Sequence, residues 1–372
     1  MGGWRWSKMD RRWMQKPLER SVIAPFFWTP PVPLCRFTPC LFSSLRALVV
    51  PTADSMSLRS PRIYATVLAL TVLTIGLGVW GGLSHGPGAF TILFVAVVLT
   101  GMPHGAIDHL VAAQLYDLEF TWTDQAKFYG GYLALMAIYG AFWVVAPVWS
   151  LGVFLVMTMY HFGQADLAYW ELRPVPARLM YLSRGLFLIG LPIAAFPGLV
   201  DPIFDALAGV LVTEWPLLSS QPTAVFAGLV GQHVLVLGAA VLLADVDGAD
   251  AGREALNVAV LAGLFGTVHP LVAFAVYFGL WHSLGHILEL LRFFRREETP
   301  PETLTAFYRK AALFTVLPFV GLAGLYWATQ AFGSTDQMIA LLFIIIAVMT
   351  LPHMVIVERL YRDRERRSVA GS

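Results

Sequence analysis

The chain has 372 residues, of which 57% are hydrophobic and only 13% are charged, and its mean hydropathy is +0.67. This charged fraction is about half that of ordinary soluble domains, so the composition excludes a soluble globular protein. The net charge of +1 indicates no nucleic-acid partner. Cys35 and Cys40 are the only cysteines and both precede the apolar part, so a metal held there needs His, Asp or Glu ligands.

Residues 1–60 form a leader that is rich in Arg, Pro and Trp. The leader contains no apolar run of the roughly 20 residues needed to cross a bilayer, and it lacks the order of a signal peptide. We expect it to be disordered and cytoplasmic, followed by a membrane-embedded domain over residues 61–372. Met56 lies just before the first apolar run, so a translation start there would leave the membrane domain complete.

About ten apolar runs follow the leader at a window of roughly 19 residues. They cover 63–83, 89–111, 128–148, 150–169, 179–199, 225–244, 254–269, 271–291, 311–331 and 337–357. Only His269 and Pro270 separate the seventh run from the eighth, and a proline there either starts a helix or kinks one. The sequence therefore predicts an all-α fold, a polytopic transmembrane helical bundle of about ten spans.

The positions of Lys and Arg predict the orientation of the bundle. Short cytoplasmic loops carry most of the Lys and Arg in membrane proteins. With ten spans and a cytoplasmic N-terminus, every loop that bears Arg falls inside, and the loops at 84–88, 200–224 and 332–336, which contain neither Lys nor Arg, fall outside. We therefore predict a multi-pass protein of the cell (inner or plasma) membrane with both termini in the cytoplasm.

Ionisable side chains recur within these runs, although each costs on the order of 2–3 kcal/mol or more at membrane depth. The segments are GMPHGAIDH at 101–109, YHFGQAD at 160–166, WHSLGHILE at 281–289 and LPHM at 351–354. An intramembrane histidine or carboxylate indicates a functional site.

Four of these histidines are predicted to bind one metal ion. His282 and His286 are four residues apart, so they lie on one helical face and can chelate a single ion. His104, His161 and His286 each lie roughly 9–12 Å inside the cytoplasmic end of their spans, which puts them in one layer. An all-nitrogen ligand set suits iron, zinc or copper, and composition does not choose among them.

Carboxylates close to these histidines are predicted to accept hydrogen bonds from their outer ring nitrogens. Asp108 follows His104, Asp166 follows His161 and Glu289 follows His286. His353 falls in the same layer and is placed with these supporting groups, although a direct bond to the metal stays open. His109 lies at the membrane edge and is either an interface residue or another supporting group.

The four segments resemble those of the bacterial and archaeal β-carotene 15,15′-dioxygenase family, the Brp/Blh proteins, and they occur in order from span two to span ten. The resemblance implies a catalytic domain in which His104, His161, His282 and His286 hold Fe²⁺. It implies cleavage of β-carotene at its central double bond with O₂ to give two molecules of all-trans-retinal, which would be supplied to a rhodopsin. Aromatic residues near the ligands are candidates for the substrate wall: Tyr160, Phe162, Tyr277, Phe278 and Trp281.

Two other functions would use an intramembrane site. A retinal-binding pump needs a lysine deep in a span, whereas Lys127 and Lys310 lie at span edges and the other two lysines lie in the leader. A metal- or proton-coupled transporter could use the same histidines as a transit site and is the main alternative. It would need a polar path to both sides, yet the outer halves of spans two, four and eight are nearly all apolar.

Overall fold

The structure is a computed structural model that describes residues 60–81, 87–119, 121–167, 170, 174–243, 246–329 and 334–371. The predicted leader and the predicted start at Met56 lie outside the described residues.

The described residues form helices and no β-strand, which confirms the predicted all-α class. The helices are α1 Pro61–Val79, α2 (Pro87–Ala96, Val97–Gly101 and Met102–Gly105), α3 Asp108–Leu115, α4 Trp122–Val145, α5 Pro147–Asp166, α6 Pro174–Ala195, α7 Pro197–Ala208, α8 Pro216–Ser220, α9 Pro222–Leu243, α10 Gly248–Thr267, α11 (Pro270–Val276, Tyr277–Ser283 and Leu284–Arg296), α12 Leu304–Thr329 and α13 Thr335–Gly371. A 3₁₀ turn, Val212–Glu214, lies between α7 and α8.

Eight helices are long and apolar enough to cross a membrane within the described part of the chain. They are α1, the combined α2–α3, α4, α6, α9, α11, α12 and α13. The 20-residue helices α5 and α10 overlap the two remaining predicted runs. The protein is therefore a polytopic helical bundle, while the span number and the side of each terminus stay predictions.

Proline residues set several of the helix starts. Pro61, Pro147 and Pro197 each occupy the first position of a helix, where the missing N–H has no intrahelical partner to lose. Pro270 starts α11, and the His269 side chain accepts a hydrogen bond from the N–H of Leu271. The seventh and eighth predicted runs are therefore two helices, not one kinked helix.

Helix α11 is the central helix of the bundle. In the apolar part of α11 that could cross a membrane, 72% of the segment is buried. The corresponding share is 11% in α1 and in α4. The outer helices expose large apolar side chains such as Leu73 and Leu133, which suits contact with lipid.

Two π-helical turns lie beside the histidine motifs, Val97–Gly101 in α2 and Tyr277–Ser283 in α11. Such turns occur frequently at functional sites because they re-aim the side chains that follow. The two turns meet through glycines: a Cβ on Gly101 would lie 2.5 Å from Phe278 Cε1, and one on Gly279 would lie 3.3 Å from Ala96 Cβ. Close approach of α2 and α11 therefore requires these glycines.

Helices α5 and α6 also touch backbone to backbone. A Cβ on Gly163 would overlap the carbonyl of Tyr181, and one on Gly185 would overlap the carbonyl of Met159. This contact fixes α5 against α6 at Gly163, two residues after His161.

Candidate metal centre

Four helices bring five histidines together in the bundle interior. His104 comes from α2, His161 from α5, His282 and His286 from α11, and His353 from α13. All five side chains are buried, none being more than 7% exposed.

Three of these histidines satisfy the distances of a single ion site. The ligand nitrogens of His104, His161 and His282 all lie within 4.8 Å of one another. The ring centre of His282 is 5.3 Å from that of His104 and 4.9 Å from that of His161, with the planes nearly perpendicular. Two imidazoles that share an ion at about 2.0–2.2 Å have ring centres roughly 4.5–5.5 Å apart, so this trio fits one ion.

The other two rings border the same space. The His286 ring centre lies 5.5 Å from that of His104 and 6.5 Å from that of His161. The corresponding distances for His353 are 5.0 Å and 5.1 Å. The His353 ring is therefore closer than the His286 ring to both His104 and His161.

The cluster contains buried ring nitrogens that make no hydrogen bond within the described structure. They are both nitrogens of His161, His282 and His286, together with His104 Nδ1 and His353 Nε2. Buried polar atoms in proteins almost always have a partner. Neutral imidazole nitrogens are good ligands for iron, zinc and copper, so the donor set fits a metal ion.

Asp108 supports His353 instead of the expected His104. His353 Nδ1 lies 3.0 Å from Asp108 Oδ1, and the Tyr132 hydroxyl donates to Asp108 Oδ2 at 3.0 Å. The helix is interrupted after Gly105 and restarts at Asp108, which turns the carboxylate towards α13. Tyr132 gives no sequence signal, because it lies 24 residues away on another helix.

The two other predicted carboxylates pair with arginines. Asp166 Oδ2 lies 3.4 Å from Arg184 Nη2 and accepts a hydrogen bond from Tyr277. Five residues turn a helix by about 140° beyond one full turn, so Asp166 faces away from His161. Glu289 bonds Arg292 and, at 2.9 Å, Arg364 of α13.

His109 lies apart from the histidine cluster. Its ring centre is 4.8 Å from that of Phe314 and 6.3 Å from that of Tyr129. The His109 ring therefore packs against α12 and α4.

An apolar cavity adjoins the cluster. Its lining includes His104, His161, His282 and His353, but not His286. Phe162 and Phe278, which sequence analysis selected as wall residues, also line it.

The other three aromatic candidates do not line this cavity. Tyr160 lies against Glu358 and Tyr181, and Tyr277 bonds Asp166. Trp281 Nε1 donates to Thr71 Oγ1 on α1. Each of these side chains is directed to a polar partner on a different helix.

A second cavity adjoins the first. Phe154, Thr158 and Phe274 line both cavities, so one side of each is shared. Thr158 is the only polar residue among the described residues that line the second cavity, which extends to Ile203 and Phe204 of α7. The cluster therefore lies beside two adjoining cavities with mostly apolar linings.

A buried network of charged and polar side chains joins helices α5, α6, α9 and α10. Arg184 Nη1 lies 2.7 Å from Glu254 Oε1, in addition to the contact of Arg184 with Asp166. His233 Nε2 also lies 3.3 Å from Glu254 Oε1. Arg184 lies inside the predicted run 179–199 and is not among the predicted site residues, although a charge inside an apolar span was a usable signal.

The chain is similar to proteins of one family. The family profile described as β-carotene 15,15′-dioxygenase matches residues 95–361. A protein named probable β-carotene 15,15′-dioxygenase Blh, from Halobacterium salinarum, is 30% identical over 311 residues, which cover 74% of this chain and 86% of the relative. A β-carotene 15,15′-dioxygenase from uncultured marine bacterium 66A03 is 22% identical over 275 residues, 73% of this chain and 94% of the relative. No solved structure matches the chain.

The fold and the site together define a class of protein: a polytopic helical membrane protein with a buried histidine cluster that could hold a metal ion. More specifically, the chain belongs to the β-carotene 15,15′-dioxygenase family, because the matched region covers more than half of its length and contains all five cluster histidines.

Proposed function

We propose that this protein is a membrane non-haem iron oxygenase that cleaves β-carotene at its central 15,15′ double bond with O₂ and yields two molecules of all-trans-retinal. The observation that carries the proposal is the buried histidine cluster beside two adjoining, mostly apolar cavities. The names of the similar proteins supply the reaction and the substrate.

The proposed metal is Fe²⁺, with His104, His161, His282 and His286 as ligands. The unpaired ring nitrogens of these residues support this assignment. Iron in such a site would supply the activation of O₂. The imidazoles are neutral donors, so they leave the positive charge of the ion largely uncompensated at this depth, and the Asp108 carboxylate beyond His353 offsets part of it.

The surrounding residues would position the substrate and exclude water. The Phe278 ring stacks on His282 at 5.7 Å between ring centres, and Phe162 packs on the same histidine at 4.5 Å. Apolar aromatic walls bind a polyene well and keep bulk water from the reacting bond.

The two adjoining cavities offer a path for one half of β-carotene. Along α5 the path reaches Leu151, ten residues before His161, which is about 15 Å of helix. Along α11 it reaches Pro270, twelve residues before His282, which is about 18 Å. We propose that one conjugated arm of β-carotene lies along this path and that its terminal ring lies next to α7.

The transporter alternative is less well supported. An ion transit path needs polar groups beyond the histidines, whereas the described lining of the second cavity is apolar except for Thr158. A metal-uptake assay run beside a retinal assay separates the two functions.

The proposed location is the cell (inner or plasma) membrane, because both substrate and product partition into the bilayer. The proposed recipient of the retinal is a rhodopsin.

The direct test is expression of the full chain in cells that produce β-carotene. We expect the orange colour to fade and retinal to accumulate with the wild-type chain, but not with His161→Ala. Val156→Ala is the matched control, since Val156 lies on the same helix and is exposed. Folded, iron-loaded wild-type protein that leaves β-carotene intact and makes no retinal would refute the proposal.

A further inference from the structure

We propose that His353 is a fifth histidine ligand of the metal, oriented by Asp108 and Tyr132. This inference rests on the proposed function, because it requires the histidine cluster to hold a metal ion. It adds a ligand from α13 to the four that the sequence motifs select.

The position of the His353 ring is the first argument. Its centre lies 5.0 Å from that of His104, 5.1 Å from that of His161 and 5.5 Å from that of His286. All three distances fall in the range of roughly 4.5–5.5 Å for imidazoles on one ion. The planes meet at 83° to 86°, so the rings converge edge to face and do not stack.

The hydrogen bonds of the ring are the second argument. His353 Nδ1 lies 3.0 Å from both carboxylate oxygens of Asp108, so it carries the proton and donates to them. The Nε2 atom is then left with a lone pair, and it is buried without a hydrogen-bond partner in the described structure. A metal-binding histidine usually has this arrangement, in which a carboxylate fixes the tautomer and the opposite nitrogen binds the ion.

The local structure supports the same orientation. Tyr132 donates to Asp108 Oδ2 and so fixes the carboxylate from α4. A Cβ on Gly105 would lie 3.4 Å from His353 Nδ1, so the end of α2 packs directly beside the His353 ring. Three helices therefore set the direction of the His353 ring.

The cavity distinguishes His353 from His286. His353 lines the cavity beside the cluster together with His104, His161 and His282, whereas His286 does not. A histidine kept only for packing would satisfy Asp108 and would not need a second buried nitrogen without a hydrogen-bond partner in the described structure.

The test uses the full-length protein in detergent, loaded with Co²⁺ as a spectroscopic probe. His353→Gly should change the visible ligand-field spectrum and weaken cobalt affinity at least about tenfold, and added imidazole should restore both. Asp108→Asn should weaken the affinity by roughly 10–100-fold and leave the spectrum close to that of the wild type. Val355→Ala, an exposed position on α13, is the matched control and should change neither.

His353→Gln keeps a hydrogen-bonding side chain and replaces the glycine variant if that one does not fold. A cobalt spectrum and affinity equal to those of the wild type in a His353 variant would overturn the inference. Folded wild-type protein that binds no cobalt and no iron would instead refute the metal site and with it the proposed function.

Discussion

Phe274, Phe278 and His282 are spaced four residues apart on α11, and their rings stack in order. The ring centres are 5.4 Å apart for the first pair and 5.7 Å for the second, with nearly parallel planes. The stack forms a continuous aromatic face that leads from the second cavity to the cluster. A face of this kind suits a flat conjugated chain.

Thr158, on α5, lines both cavities and so lies at their junction. We expect Thr158→Phe to narrow the junction and to lower kcat/KM for β-carotene by about tenfold or more, because a well-packed wall cannot absorb a larger ring without strain. Iron content should stay unchanged. Val156→Phe adds the same ring on an exposed part of α5 and serves as the control. Equal loss in both variants would contradict a path through this junction.

At the scale of the helices, the α5–α6 contact determines where His161 lies. Gly163→Ala would force the two backbones apart, because its Cβ would overlap the Tyr181 carbonyl. We expect a loss of about 1–3 kcal/mol in the free energy of unfolding, together with reduced iron content. Thermal unfolding in detergent and metal analysis measure the two effects.

Gly152→Ala is the matched control for that experiment. Gly152 lies on the same helix, and nothing comes within 4 Å of a Cβ placed there. Its substitution should leave both iron content and stability unchanged or slightly raise the latter, since Ala favours helix. A stable Gly163→Ala variant with full iron content would contradict the inference that the α5–α6 contact determines the position of His161.

Much of the helical architecture was predictable from apolar runs and prolines. Each run overlaps a helix, because apolar stretches of this length must satisfy their backbone hydrogen bonds internally. The four motif histidines could be identified because an ionisable side chain at membrane depth is energetically costly and because helical rise and spacing place them at a similar depth. Those signals depend only on local sequence and helical rise.

The partners of the site residues could not be predicted in the same way. Asp108 contacts His353, which lies 245 residues later in the sequence. The start of a new helix at Asp108 sets the direction of the Asp108 side chain. Asp166 and Glu289 lie near histidines in sequence but pair with arginines in space. The π-helical turn Tyr277–Ser283, which contains His282, likewise has no signal in the spacing of the histidines. The direction of a side chain depends on how the helices pack, and the spacing of residues in the sequence does not determine that packing.

At the scale of the molecule, Lys and Arg predict the orientation in the membrane. Arg359, Arg362 and Arg364 lie at the end of α13, whereas the segment between α7 and α9 contains neither Lys nor Arg. In a bacterial host, green fluorescent protein fused at the C-terminus should fluoresce, and alkaline phosphatase inserted after Gly209 should be active. The reverse pattern of reporter activity would contradict the predicted ten-span orientation.

Deep burial of the five imidazoles has a kinetic consequence for the holoprotein. An ion held there would leave slowly, since every ligand is at least 93% covered and the adjoining cavities have mostly apolar linings. Its exchange with ions in solution would then follow the slow opening of the bundle and not the strength of the metal–nitrogen bonds alone. Cells would need to supply the metal while the helices are still assembling, because a bundle closed without it admits the ion at that same slow rate.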